Sequence, residues 1–201
     1  MLIALLVPAT IPSTSAASDN PGPAETVVRQ MLDSIRKLRT TENSAARSEL
    51  IKTIDSSLAL DSLSEKALGA QWGKLDPAQR ARFSHLLREL LEKQAYPHAS
   101  QFFTGLEVVF HKEQVKDGQR ILPTTVKRRE GGAVSIDYVL AKSALAKPGP
   151  KTEPRWRVVD IVLDGQSLAS NVEGQIQAVL KQGSFDSLMA QMEAKLKQLD
   201  S

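Results

Sequence analysis

Gly165-Gln-Ser167-Leu-Ala169 is the stretch of this chain that looks most like a catalytic motif. It lies between a predicted strand and a predicted helix, the context in which a strained turn lifts a serine nucleophile above a sheet. Such a serine needs an acid and a histidine later in the chain. His85, His98 and His111 all come earlier, and alanine replaces the last glycine of the elbow. Ser167 also stands where a helix begins, so its oxygen can accept a first-turn N–H as a cap. The cap is the preferred reading, and a secreted serine hydrolase using Ser167 is the rival.

Metal chemistry finds little support. No two histidines sit at the short helical or hairpin spacing that lets two imidazoles reach one ion. With no cysteine there is no thiolate ligand or nucleophile, and no glycine-rich phosphate loop is present. The expectation is no metal and no cofactor. Asp160 interrupts the apolar run Val158-Val-Asp-Ile-Val-Leu163. A lone acid there must find hydrogen-bond partners or shift its pKa upward, so it is expected to pair with Arg155, Arg157 or a neighbouring strand. Lys127-Arg-Arg129 reads as a solvated strand end that guards a sheet edge, with contact to lipid headgroups or an acidic partner as the alternative.

Composition narrows the class. The 26 basic and 23 acidic residues leave +3, and aromatics are 4%, too little clustered charge and stacking surface for a nucleic-acid binder. An apolar share of 41% in 201 residues allows one sizeable core without staples. Met1 to Pro8 is a short apolar run followed by small and hydroxyl residues through Ser18, a secretory pattern although no Lys or Arg precedes the run. Residues 1–17 are therefore expected to be a signal peptide, with 18–201 a single exported domain in the periplasm.

These side chains must be positioned by elements whose periods are legible. Val27, Val28, Met31, Ile35 and Leu38 recur at helical spacing, predicting a helix over 24–40. Leu50, Ile51, Ile54 and Leu58 predict a second, and Ser64 is expected to cap a third. Asp76-Pro77 predicts the start of a long helix over 77–95, with Phe83, Leu86, Leu87, Leu90 and Leu91 on its apolar side. From Gly105 the rhythm becomes period two. Strands are expected over 106–111, 120–129, 133–141 and 155–163, with Trp156, Val158, Asp160 and Val162 sharing one face. Lys116-Asp-Gly118, Glu130-Gly-Gly132 and Lys147-Pro-Gly-Pro150 punctuate them. Two helices close the chain, 167–181 and 184–199, and the second has an apolar stripe that suits core packing or transient contact with a membrane surface. Helices, then strands, then helices define an α+β fold with helices on one face of an antiparallel sheet.

Leu68-Gly-Ala-Gln-Trp72, Pro77-Ala-Gln-Arg80-Ala-Arg-Phe83, Leu90-Leu91 and Tyr96, followed by Trp156-Arg-Val-Val-Asp160 through Asn171 and by Phe185-Asp-Ser-Leu188, resemble in order the signatures of the MlaC, or toluene-tolerance, family. The resemblance spans nearly the whole expected mature chain. Where the family continues after Asn171 with Tyr-Arg and later Gln-Phe, this chain has Val172-Glu173 and Gln175-Ile176. The resemblance implies a strongly bent sheet of the cystatin or nuclear-transport-factor type enclosing an apolar pocket. It also implies a periplasmic carrier that shuttles phospholipid between an outer-membrane lipoprotein complex and an inner-membrane ABC transporter, maintaining outer-membrane lipid asymmetry.

The physics of such a carrier asks for apolar walls without competing polar groups. The faces legible in the sequence nominate Phe83, Leu87, Leu90, Val108, Phe110, Ile136, Tyr138, Trp156, Val158 and Val172 for that pocket wall. A structural adaptor whose apolar residues merely fill a core is the third reading, and only a cavity separates it from a carrier.

Overall fold

The computed structural model describes residues 21–128, 130–142 and 155–200. The expected signal peptide, Arg129 of the basic run and the Lys147–Pro150 connection lie outside these residues. Among them are seven α-helices and one antiparallel sheet.

The helix α1 (Pro23–Leu38) buries the stripe Val28, Met31, Leu32, Ile35 and Leu38, as its period requires. Next comes α2 (Ser44–Ser57), where Asn43 caps the first turn by accepting from the Ala46 N–H at 2.9 Å. The third helix, α3 (Leu60–Leu68), begins four residues before the expected cap. Ser64 is instead inside it, donating to the Leu60 carbonyl at 2.9 Å, because a buried hydroxyl in a helix satisfies itself on the preceding turn.

A 3₁₀ turn over Gly69–Lys74 leads to α4 (Pro77–Leu90), whose Asp76 and Gln79 form a reciprocal capping box. This helix does not stop near 95. It passes through a π-helical turn, Leu91–Ala95, into α5 (Tyr96–Phe103). Proline lacks an N–H and its ring crowds the preceding turn, and the widened turn before Pro97 lets the helix carry on through it.

The sheet runs in the order β1, β3, β4, β5, β6, with β1 (Glu107–Phe110) and β2 (Gln114–Lys116) both pairing with β3 (Gln119–Lys127). Asp117 and Gly118, at φ 51 and 76, make the tight β2–β3 turn. In β4 (Ala133–Lys142), Val134, Ile136, Tyr138 and Leu140 are buried alternately, as period two requires. The next strand, β5 (Trp156–Leu163), departs from its expected phase. Val139 faces Asp160 while Leu140 faces Val158, so Val159 is an extra residue, a β-bulge. Beyond the bulge Ile161 and Leu163, rather than Asp160 and Val162, continue the face of Trp156 and Val158.

A two-residue strand, β6 (Gln166–Ser167), turns into α6 (Leu168–Gln182), followed by α7 (Phe185–Leu199). Two apolar cores result. One joins α1, Ile54 of α2 and Tyr96 and Phe103 of α5 to the sheet, and the other joins α3, α4, α6 and α7.

Candidate functional site

The serine at the β6–α6 corner is held by two hydrogen bonds. Asp164 and Gly165, at φ 45 and 83, form a hairpin turn rather than a nucleophile elbow. Ser167 Oγ accepts from the Ser170 N–H at 3.0 Å and donates to Asp160 Oδ2 at 2.6 Å. Asp160 Oδ1 also accepts from the Ala169 N–H at 3.0 Å, so serine and aspartate together cap α6 where its unpaired N–H groups favour negative charge. The partner of Asp160 is thus the neighbouring strand and helix, not Arg155 or Arg157. Arg155 donates to Ser56 Oγ at 3.0 Å.

His85 faces Glu89 at 3.5 Å, and His111 Nε2 lies 2.8 Å from Thr125 Oγ1. Among the described residues, no group of three or more His, Cys, Asp or Glu is placed to hold a metal ion.

Space, rather than a reactive group, marks the remaining site. A cavity of about 420 Å³ opens between the two cores. Met31 and Ile35 of α1 and Ile54 of α2 form one wall. Leu58, Ala59, Leu60 and Leu63, from the α2–α3 link and α3, form a second. Leu91, Ala95, Tyr96 and Ala99 close it from the π turn and α5, and Leu168, Ala169, Asn171 and Val172 from α6. Four successive residues of β5, Val158 to Ile161, line it as well. A regular strand sends alternate residues to opposite sides, and the bulge at Val159 breaks that rule at the cavity. Leu168, 43% exposed, and the exposed Asn171 mark where the cavity meets solvent.

Backbone pairing props this region open. Ala59 N–H donates to the Val158 carbonyl at 2.9 Å, so the α2–α3 link runs as a short parallel rung beside β5. The space itself comes from side chains too small to fill it. Ala95 and Ala99 stand one turn apart on the same helical face, with Ala59 and Ala169 on other walls. A polar tether lies at one flank. The Tyr96 hydroxyl donates to Asp55 Oδ1 at 2.6 Å, and Arg88 Nε is 3.3 Å from Asp55 Oδ2. Burial, reinforced by the Asp55 charge, raises the pKa of Glu92 in the π turn. Burial and the bond to Asp55 likewise raise that of Tyr96.

Of the residues nominated from sequence, Val158 and Val172 line this cavity. Phe83 and Leu87 are buried in the second core, with Leu90 against it. Ile136 and Tyr138 are buried in the first core, where Val108, Phe110 and Trp156 also pack. Met31, Ile35, Ile54, Leu58 and Leu91, which belong to the helical stripes legible in the sequence, line the cavity as well. The alanines carry the signal that was missed: small residues on otherwise apolar faces, where a filled core would have larger ones.

The cavity has the size and the apolar walls of a small-molecule binding site. A family model described as MlaC protein matches residues 25–194, and the chain belongs to the MlaC family. Among solved structures it is similar to the phospholipid-binding protein from Ralstonia solanacearum, determined in complex with a phospholipid. The two share 21% sequence identity and a TM-score of 0.71 over 89% of this chain and 97% of that one.

Proposed function

We propose that this chain is a periplasmic phospholipid carrier, with acyl chains held in the cavity between α1, the α2–α3 link, the π turn, β5 and α6. The observation that carries the reading is the cavity of about 420 Å³ lined almost wholly by apolar side chains. An apolar wall open to water favours an apolar ligand that covers it, and ligand pockets of about 300–1,000 Å³ are the ordinary range. Membership of the MlaC family and the fold shared with a phospholipid-binding protein support the same ligand class.

In this reading the protein exchanges lipid between an outer-membrane lipoprotein complex and an inner-membrane ABC transporter, after export by a signal peptide over residues 1–17, and so maintains outer-membrane lipid asymmetry. The mature chain, residues 18–201, is one domain and performs no catalysis. A bilayer is as apolar as the cavity, so net preference for the protein is small, and docking to a partner decides the direction of transfer.

Incubating lipid-free protein with phospholipid vesicles, then separating the two by size, tests the carrier reading. A soluble protein–phospholipid complex is expected, and failure to extract any phospholipid contradicts it. The hydrolase alternative has its own control. Ser167→Ala is expected to leave any trace ester hydrolysis unchanged, and loss of a real activity in that variant would revive the alternative.

A further inference from the structure

Beside the cavity lies a second, more polar groove of about 540 Å³, and Ala59 and Val159 belong to the walls of both. Its charged lining has two signs. Arg80, Lys142 and Arg157 stand in it with Asp61 and Glu65, which are one turn apart on α3. Ser62 and Ser84 add hydroxyls.

These charges are not spent on one another. Among the described residues, neither Asp61 nor Glu65 takes part in an ion pair, and nor do Lys142 and Arg157. Lys142 only rests 5.6 Å from the Trp156 ring centroid. Arg80 donates from Nε to the Trp72 carbonyl at 3.0 Å and its guanidinium lies 5.3 Å from the Trp72 ring centroid, which fixes the side chain on Trp72 without an ion pair among the described residues. The Arg157 Nε is buried and has no hydrogen-bond partner. The Nε atoms of Arg88 and Arg120 are buried without a hydrogen bond too, but those guanidinium groups stand in ion pairs with Asp55 and Glu113, whereas Arg157 has no such partner among the described residues and an acceptor that arrives with a ligand would supply one.

We propose that this groove is the headgroup subsite, and that it takes a zwitterionic phosphoester: Arg157, with Lys142 and Arg80, receives the phosphate, and Asp61 and Glu65 receive an ammonium group. This rests on the carrier reading and adds the lipid class to it. Guanidinium forks match phosphate oxygens in geometry and charge. The two carboxylates set the choice. They repel a headgroup that is purely anionic and attract one that carries its own cation. The backbone rung between Ala59 and Val158 separates the two spaces, so a lipid with its chains in the cavity would lay its headgroup over the shared edge at Ala59 and Val159 into the groove.

The test presents lipid-free protein with vesicles of phosphatidylethanolamine and phosphatidylglycerol in equal amounts, doped with diacylglycerol, and reads the bound lipids by mass spectrometry after extraction. Wild type is expected to hold mostly phosphatidylethanolamine. Asp61→Asn with Glu65→Gln is expected to raise the phosphatidylglycerol share about threefold, since loss of a like-charge contact favours the anionic lipid. Arg157→Gln is expected to reduce both phospholipids about fivefold relative to diacylglycerol, which has no phosphate to lose. Inorganic phosphate alone, added in excess, should leave the bound lipid in place; displacement by it would mean that the groove is a free-phosphate site and would overturn the headgroup assignment. Identical headgroup profiles in wild type and both variants would overturn the subsite while leaving the carrier reading intact. A wild type that takes up no lipid at all would remove the reading beneath it.

Discussion

Ser167 donates its hydroxyl hydrogen to Asp160 at 2.6 Å, and the same carboxylate accepts from the first turn of α6 at Ala169. A pair that resembles part of a catalytic triad is therefore a helix clamp. It fixes α6, and with it Leu168, Ala169, Asn171 and Val172, against the bulged strand at the cavity wall.

Replacing that carboxylate should show the clamp as stability. Asp160→Ala leaves the Ala169 N–H and the Ser167 hydroxyl short of an acceptor and is expected to cost about 2 kcal/mol. Asp160→Asn keeps an acceptor but loses the charge at the helix N-terminus, an effect of about 1 kcal/mol or less. Urea unfolding of the two variants measures the order; an alanine variant as stable as wild type would contradict the clamp.

Glu92 makes stability depend on pH in a definite direction. Its folded pKa lies above the ordinary 4.5 because burial, and then Asp55, disfavour its charge. The folded state therefore holds that proton more tightly than the unfolded chain, and its contribution to stability falls as pH rises from 4.5 through the raised value. Glu92→Gln is expected to be more stable than wild type at neutral pH, with the difference closing below pH 4.5. Denaturant titrations at several pH values decide it, and a difference that stays constant with pH would contradict the assignment.

The two cores were half legible in the sequence. Stripes such as Val28, Met31 and Ile35, and the alternation from Val134 to Leu140, are set by local period, so their buried faces followed directly. Which neighbour a face meets is a long-range matter. The apolar stripe of α4 nominates Phe83 and Leu87 for the pocket wall, yet they pack in one core with Leu188, Met189 and Met192 of α7, more than a hundred residues later. The extra residue Val159 and the π turn at 91–95 were likewise invisible, because each shifts a register by pairing and packing that no local pattern encodes.

That separation can be tested. Phe83 is wholly buried, and Phe83→Ala is expected to cost about 3–5 kcal/mol while leaving lipid content per folded molecule unchanged. Val172→Trp is the converse. Its indole should occupy part of the cavity, reducing bound phospholipid several-fold for a stability change of at most about 1–3 kcal/mol. Lipid extraction combined with thermal unfolding compares the two, and equal lipid loss in both would mean that the second core also belongs to the site.

Native mass spectrometry of residues 18–201 purified without detergent tests most directly whether the space between α1, β5 and α6 holds a phospholipid. A protein–lipid complex is expected whose extra mass, after extraction, is that of a phospholipid, and which is depleted in Val172→Trp. Lipid-free protein in every such preparation would contradict it.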